Sequence, residues 1–194
     1  EERLAPLYKR LNLRQGQLQA LTGIRERRFW DPGEPMYTGA VKAGKKALAN
    51  SQVKPGDIGM VVYCGVCRDN MEPATACSVA HGLGVSPEAR VFDISNACLG
   101  VASAMIEVAN AIELGQIRAG LVVSCESARQ IVDLTIDRMN RECDMESFKK
   151  CMAVLTGGSG AVAVIMTGDS LPPAPYRRHR LLGCFHRRNG RHPL

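Results

Sequence analysis

One cysteine of this chain lies where the start of a helix would stabilise a thiolate. Cys98 falls in residues 92–100, where a predicted strand gives way to a long apolar helix. Unpaired N–H groups and the helix dipole at such a start stabilise an anion, so Cys98 is the candidate nucleophile among eight cysteines. The alternative is that it is a small buried hydrophobic residue. Ser95 or Asn96 is expected to cap the helix.

A glutamate follows the end of another predicted strand. Glu72 lies in the polar loop 68–73, shortly after the apolar run 58–63. Open α/β sheets place their ligand sites beyond the carboxyl ends of the strands, which makes Glu72 the second candidate for the site. The alternative is that this acid only interacts with the dipole of the predicted helix 74–83.

Three further patterns in the sequence could indicate a binding site. Cys64 and Cys67 have the spacing of metal ligands, but no second pair follows, and we predict no metal site. Arg25 and Arg28, in a loop with Trp30, could contact a phosphate-bearing ligand or could belong to a solvated loop. The glycine-rich segment 157–160 precedes a strand instead of a helix, so it is not a phosphate-binding loop.

The apolar runs and their spacing predict an α/β fold. Four strands, at 58–63, 90–94, 119–124 and 161–166, alternate with helical patterns, which is typical of a mostly parallel sheet covered by helices. The helix over about residues 98–115 is apolar nearly all round, and such a pattern predicts a helix buried on all sides.

The charge of the chain is concentrated near its end. The net charge is +6, and residues 171–194 contain six arginines and no acid. The rest of the chain lacks the interleaved basic and aromatic residues of a nucleic-acid surface, so no nucleic-acid partner is predicted. No apolar run reaches about 18 residues, and the first residues do not resemble a signal peptide. We expect a cytoplasmic protein with reduced thiols.

Five segments, in order, resemble the thiolase-fold condensing enzymes of the 3-oxoacyl-(acyl-carrier-protein) synthase III group. They are residues 22–27, 72–76, 93–100, 121–124 and 156–161. The resemblance covers the N-terminal half of such enzymes and implies a thiolase-like half-domain over residues 1–170. Residues 171–194 would then be a basic tail or the start of a connection to a C-terminal half. His179, His186 and His192 match no motif of the family and are given no catalytic role.

Within this group, a glutamate just before proline is similar to the OleA-type enzymes, which condense two fatty acyl-CoA molecules head to head without decarboxylation. The resemblance implies that Cys98 holds an acyl group and that Glu72, partly desolvated, removes a proton alpha to the second thioester. It also implies a homodimer in which Glu72 serves the partner's active site, with Arg25 and Arg28 near the CoA entrance. Acyl-CoA or acyl-carrier-protein thioesters are the expected substrates, and no further cofactor is expected.

Two alternatives stay open. A synthase III enzyme that uses a malonyl thioester generates its carbanion by decarboxylation and needs no carboxylate base. The other alternative is a half-fold that binds a partner or is inactive, because the catalytic histidine and asparagine of the family belong to its second half.

Overall fold

A computed structural model of the chain describes residues 2–168 and 192–193. The helices are α1 (Ala5–Arg10), α2 (Gln17–Thr22), α3 (Met36–Ala49), α4 (Thr75–Leu83), α5 (Gly100–Glu113), α6 (Arg129–Glu142) and α7 (Met145–Cys151). The strands are β1 (Glu26–Arg27), β2 (Ile58–Cys64), β3 (Arg90–Ile94), β4 (Ala119–Ser127), β5 (Ser159–Thr167) and β6 (His192–Pro193). In the described part of the chain, no helix has the length and apolar character needed to cross a membrane. Most of the predicted basic tail lies outside the described residues.

The described residues form two compact units. The first comprises residues 2–32, 127–159 and 192–193, and the second comprises residues 33–126 and 160–168. The core of the first unit is helical and is built by α1, α2, α6 and α7, with Leu7, Leu18 and Leu155 fully buried. In this unit β1 pairs with β6 in an antiparallel ladder.

The second unit holds the main sheet, whose strand order is β3-β2-β4-β5. β2 is parallel to both β3 and β4. β5 is antiparallel to β4. This direction follows from a hydrogen bond in which the N–H of Gly168, just after β5, donates to the C=O of Arg118, just before β4 (3.3 Å). The sheet is therefore mixed, and its first three strands match the predicted parallel arrangement.

Helices cover both faces of this sheet, in keeping with the continuous apolar runs of β2 and of the first part of β4. Alternate side chains of a strand point to opposite faces. Met60 and Val62 form a cluster with Val108 of α5, whereas Val61 and Tyr63, both fully buried, point to the face on which α4 packs. This explains why the strand has a continuous apolar run instead of an alternating pattern.

Helix α5 is buried on one face only, so the prediction of a helix buried on all sides is wrong for the part of the chain that the structure describes. Ala104, Val108 and Ala111 are buried against the sheet, but Ile106 is 60% exposed and Glu107 is exposed beside it. The sequence is apolar on both faces, and the described residues cover only one of them.

Candidate active site

The two candidate residues lie on loops that leave the same edge of the sheet. Cys64, the last residue of β2, is paired with Ile94, the last residue of β3. The loop with Glu72 begins directly after Cys64, and the turn with Cys98 begins directly after Ile94. The parallel register therefore brings the starts of both loops together, as predicted from the carboxyl ends of the strands.

The turn with Cys98 is a short 3₁₀ turn, Ala97–Leu99, inserted between β3 and α5. Ala97 has a φ of 43°. A left-handed conformation costs a residue with a Cβ about 1–2 kcal/mol, so this turn is held in place by its surroundings. Cys98 and its neighbours 95–99 are exposed. An exposed thiol at the start of helical backbone fits a nucleophile better than the alternative of a small buried residue.

The capping of this turn differs from the prediction. No side chain caps the 3₁₀ turn or α5; instead the Asn96 side-chain amide donates to the Ser103 Oγ (2.9 Å). The N–H of Leu99 donates to the C=O of Asn96. Gly100, the first residue of α5, lies so close to β2 that an added Cβ would be 3.3 Å from the Cβ of Cys64.

Glu72 lies at the tip of its loop, where residues 70–73 are all exposed and Met71 is 82% exposed. The beginning of the loop is fixed to the end of β4. The Glu126 carboxylate accepts hydrogen bonds from the N–H groups of Val66 (2.6 Å) and Cys67 (3.2 Å). The Tyr63 hydroxyl lies 2.6 Å from the Cys67 carbonyl oxygen. The exposed tip therefore projects from a well-fixed base.

Two aspartates extend this anchoring to the helices. Asp69, inside the loop, accepts hydrogen bonds from the N–H groups of Met36 and Tyr37 at the start of α3 (2.6 and 2.8 Å). Asp93 of β3 accepts from the first N–H groups of α4. The acid that satisfies the α4 start is thus Asp93, which argues against the alternative that Glu72 serves this helix.

Asp93 was missed by sequence reasoning, although a signal for it existed. It is a charged residue in the otherwise apolar segment Val91–Ile94, and its side chain is only 5% exposed. Charged groups are rarely buried without partners, so an acid inside a buried strand indicates a specific hydrogen-bonding role.

The Cys64 and Cys67 pair is not arranged as a metal site. The Cys64 thiol donates to the Val123 C=O (3.2 Å), and burial raises its pKa to about 12. Burial likewise raises the pKa of Cys125 to about 12. Within the described residues, no group of three or more potential ligand side chains could hold a metal ion.

Arg25 and Arg28 belong to the first unit, whereas Cys98 belongs to the second. Arg25 is exposed. Arg28 is half-buried, and its guanidinium lies 4.0 Å from the Glu26 carboxylate. The guanidinium of Arg27, which lies between them in the sequence, is 5.2 Å from the centre of the Phe29 ring. The guanidinium of Arg129 is at the same distance from this ring.

The sheet order, the helices on both faces and the cysteine turn at the carboxyl edge define a thiolase-like α/β fold. Residues 40–166 match the family described as "Thiolase, N-terminal domain". The chain therefore belongs to the thiolase N-terminal domain family, as the resemblance predicted.

Individual relatives refine this assignment. An acyl-CoA:acyl-CoA alkyltransferase of Shewanella oneidensis is 56% identical over 96% of this chain and 53% of its own length. A β-ketoacyl-(acyl-carrier-protein) synthase III of Koribacter versatilis is 39% identical over 76% of this chain and 40% of its own length. The chain thus spans about half the length of the acyl-CoA alkyltransferase and less than half of the synthase III that it matches.

The crystal structure of Xanthomonas campestris OleA with cerulenin bound matches with a TM-score of 0.80 and 37% identity, over 89% of this chain and 52% of that one. Other structures of OleA carry a substitution of a glutamate, a histidine or a cysteine. The cysteine variant was solved with bound lauric acid and lauroyl-CoA.

Proposed function

We propose that this chain is the nucleophile-bearing half of an acyltransferase that condenses two fatty acyl-CoA molecules head to head. The observation that carries the proposal is the pair of an exposed thiol, Cys98, and an exposed carboxylate, Glu72, both in loops that leave the carboxyl edge of the same sheet. The glutamate and the cysteine substituted in the OleA structures are separated by the same number of residues as Glu72 and Cys98.

In the proposed reaction, the Cys98 thiolate attacks the first thioester and releases the CoA thiol, which leaves an acyl-cysteine. Glu72 then removes a proton from the carbon alpha to the second thioester. The resulting carbanion attacks the acyl-cysteine carbonyl, and Cys98 leaves as the thiolate. Hydrolysis of the remaining thioester gives a 2-alkyl-3-ketoacid.

The backbone of the turn supports an oxyanion-binding role. The N–H of Leu99 donates to the Asn96 carbonyl and the N–H of Gly100 donates to the Ala97 carbonyl, so both are engaged within the turn. The Cys98 N–H, at the start of this turn, is proposed as a donor to the developing negative charge. The chain spans about half the length of its relatives, and further donors are proposed to come from the second half of the family fold.

We further propose that Glu72 acts on the partner's site in a homodimer. Glu72 and Met71 are exposed in the single chain, and a second subunit over the loop would remove both from water. Partial loss of water makes a carboxylate a stronger base. Arg25 and Arg28 are proposed to lie near the CoA entrance.

The test is a comparison of acylation with condensation in Glu72→Ala. Incubation with acyl-CoA and intact-mass analysis measure the acyl adduct on Cys98, and product extraction measures condensation. We expect the adduct to form as in the unchanged protein and condensation to be lost. Glu88→Gln, another exposed acid, is the matched control and should retain both. Full condensation by Glu72→Ala would exclude the carboxylate as the base.

The second candidate is decarboxylative condensation with a malonyl thioester, which the identity to synthase III enzymes favours. It needs no base at Glu72. Carbon dioxide release from malonyl-CoA or malonyl-carrier protein, unchanged in Glu72→Ala, would support this reaction over the head-to-head condensation.

A further inference from the structure

One buried carboxylate joins β3, the strand that precedes the Cys98 turn, to the two sides of the loop that carries Glu72. Asp93 lies in β3, and its side chain is 5% exposed. Its Oδ2 accepts a hydrogen bond from the Thr75 N–H and its Oδ1 accepts one from the Ala76 N–H, both at 2.9 Å. Both carboxylate oxygens are therefore engaged by the first two residues of α4, which directly follow the Glu72 loop.

The same carboxylate also faces the other side of the loop tip. The Nε of Arg68 lies 3.9 Å from the Asp93 Oδ2, and the Arg68 side chain is only 24% exposed. Arg68 precedes the exposed tip 70–73 and Thr75 follows it. Asp93 thus contacts the chain on both sides of Glu72.

These contacts are of a kind that an uncharged side chain reproduces poorly. Hydrogen bonds to a carboxylate are stronger than those between neutral groups, and the start of a helix favours a negative charge. An asparagine at this position could accept with only one oxygen, and its NH₂ group would face an N–H donor. Its neutral amide would also leave the Arg68 guanidinium without its counter-charge.

We propose that Asp93 is a positioning residue that holds the Glu72 loop in its working geometry relative to β3 and the Cys98 turn. The catalytic importance of this geometry depends on the function proposed above, whereas the anchoring itself does not. Because Glu72 is proposed to act in the partner's site, Asp93 would link the nucleophile of its own subunit to the base of the neighbouring site.

Asp93→Asn in the full chain, followed by amide hydrogen exchange, tests the anchoring directly. We expect exchange in residues 66–76 to become about tenfold faster or more, because the lost bonds are local to this loop. Exchange in β2 and β4 should change by less than about threefold. Asp57→Asn is the matched control, since Asp57 also accepts from a backbone N–H (Lys54, 3.0 Å) and faces an arginine (Arg118, 3.4 Å), but at the opposite end of the strands.

Arg68→Gln separates the two sides of the anchor. It removes the contact before the tip and leaves the two hydrogen bonds to α4 intact. We expect faster exchange in residues 66–72 and unchanged exchange at Thr75 and Ala76. Because the Arg68 side chain is partly exposed, this variant also keeps the test informative if Asp93→Asn does not fold.

The chemical arm measures the two half-reactions separately. In Asp93→Asn we expect the acyl adduct on Cys98 to form within about threefold of the normal rate, and condensation to fall by about 100-fold, the effect typical of a base displaced by about 1 Å. A residue that only stabilised the fold would lower both rates by the same factor.

Three results would overturn the proposal. They are unchanged exchange in residues 66–76 of Asp93→Asn, equal acceleration of the loop and the strands, and equal loss of acylation and condensation. If the unchanged protein forms no condensation product, the proposed function fails for this chain, and the exchange experiment still decides whether Asp93 anchors the loop.

Discussion

The close approach of α5 to the sheet depends on a glycine in β4. A Cβ added at Gly120 would lie 2.5 Å from Val108 Cγ1 and 3.1 Å from Val108 Cγ2. Val108 is fully buried, so its side chain cannot move aside into solvent. Because α5 begins directly after the Cys98 turn, a displacement of this helix would also move the candidate nucleophile.

We expect Gly120→Ala to lower the free energy of unfolding by about 1–3 kcal/mol, the usual cost of an overpacked core. Gly160→Ala in β5 is the matched control, because no atom lies within 4 Å of its added Cβ. The control should be neutral or more stable by up to about 1 kcal/mol, since alanine restricts the unfolded chain more than glycine.

Urea unfolding followed by far-ultraviolet circular dichroism is the appropriate assay. The single tryptophan, Trp30, lies in the first unit, so its fluorescence reports on a different part of the chain from Gly120. Combining Gly120→Ala with Val108→Ala completes the test, because the smaller side chain makes room for the new methyl group. The double variant should be more stable than the sum of the single effects by about 1 kcal/mol or more.

Two results would refute the packing argument. One is a Gly120→Ala protein as stable as Gly160→Ala. The other is additivity of the Gly120→Ala and Val108→Ala effects within about 0.5 kcal/mol, which is the behaviour of independent sites.

Further predictions concern the buried groups under the site. The Tyr63 hydroxyl lies 2.6 Å from the Cys67 carbonyl oxygen and 2.7 Å from the Cys125 carbonyl oxygen and can donate its one hydrogen to either. Tyr63→Phe should therefore lower the free energy of unfolding by about 1–3 kcal/mol, and a urea titration equal to that of the unchanged protein would contradict this. Burial raises the pKa values of Cys64 and Cys125 to about 12, so the unfolded chain loses these protons first as the pH rises. The free energy of unfolding should therefore fall between about pH 9 and 12, by up to about 1 kcal/mol per pH unit for each thiol. In Cys64→Ala the fall with pH should be less steep. An equal slope in Cys64→Ala and in the unchanged protein would exclude a contribution from the Cys64 thiol. Brief iodoacetamide treatment of the folded protein should alkylate the exposed Cys98 before Cys64 and Cys125, and peptide mass mapping that finds equal labelling would contradict the burial pattern.

The strands of the sheet and the two candidate site residues could be predicted from local sequence patterns. Strands buried on both faces need apolar side chains at every position, so their runs were visible without a structure. Cys98 could be recognised because its chemistry depends on local backbone, namely the start of a helix. Glu72 could be recognised because parallel strands bring their carboxyl ends to one edge. The family resemblance added the proposed reaction.

The partners of these residues, in contrast, could not be predicted from the sequence. The sequence pattern does not show that Asp93 accepts hydrogen bonds from α4, because Thr75 and Ala76 are far from it along the chain. The direction of β5 and the exposed face of α5 likewise depend on what packs beside them. Helix periodicity and strand propensity are local properties, whereas hydrogen-bond partners and burial are set by the contacts that folding creates between distant segments.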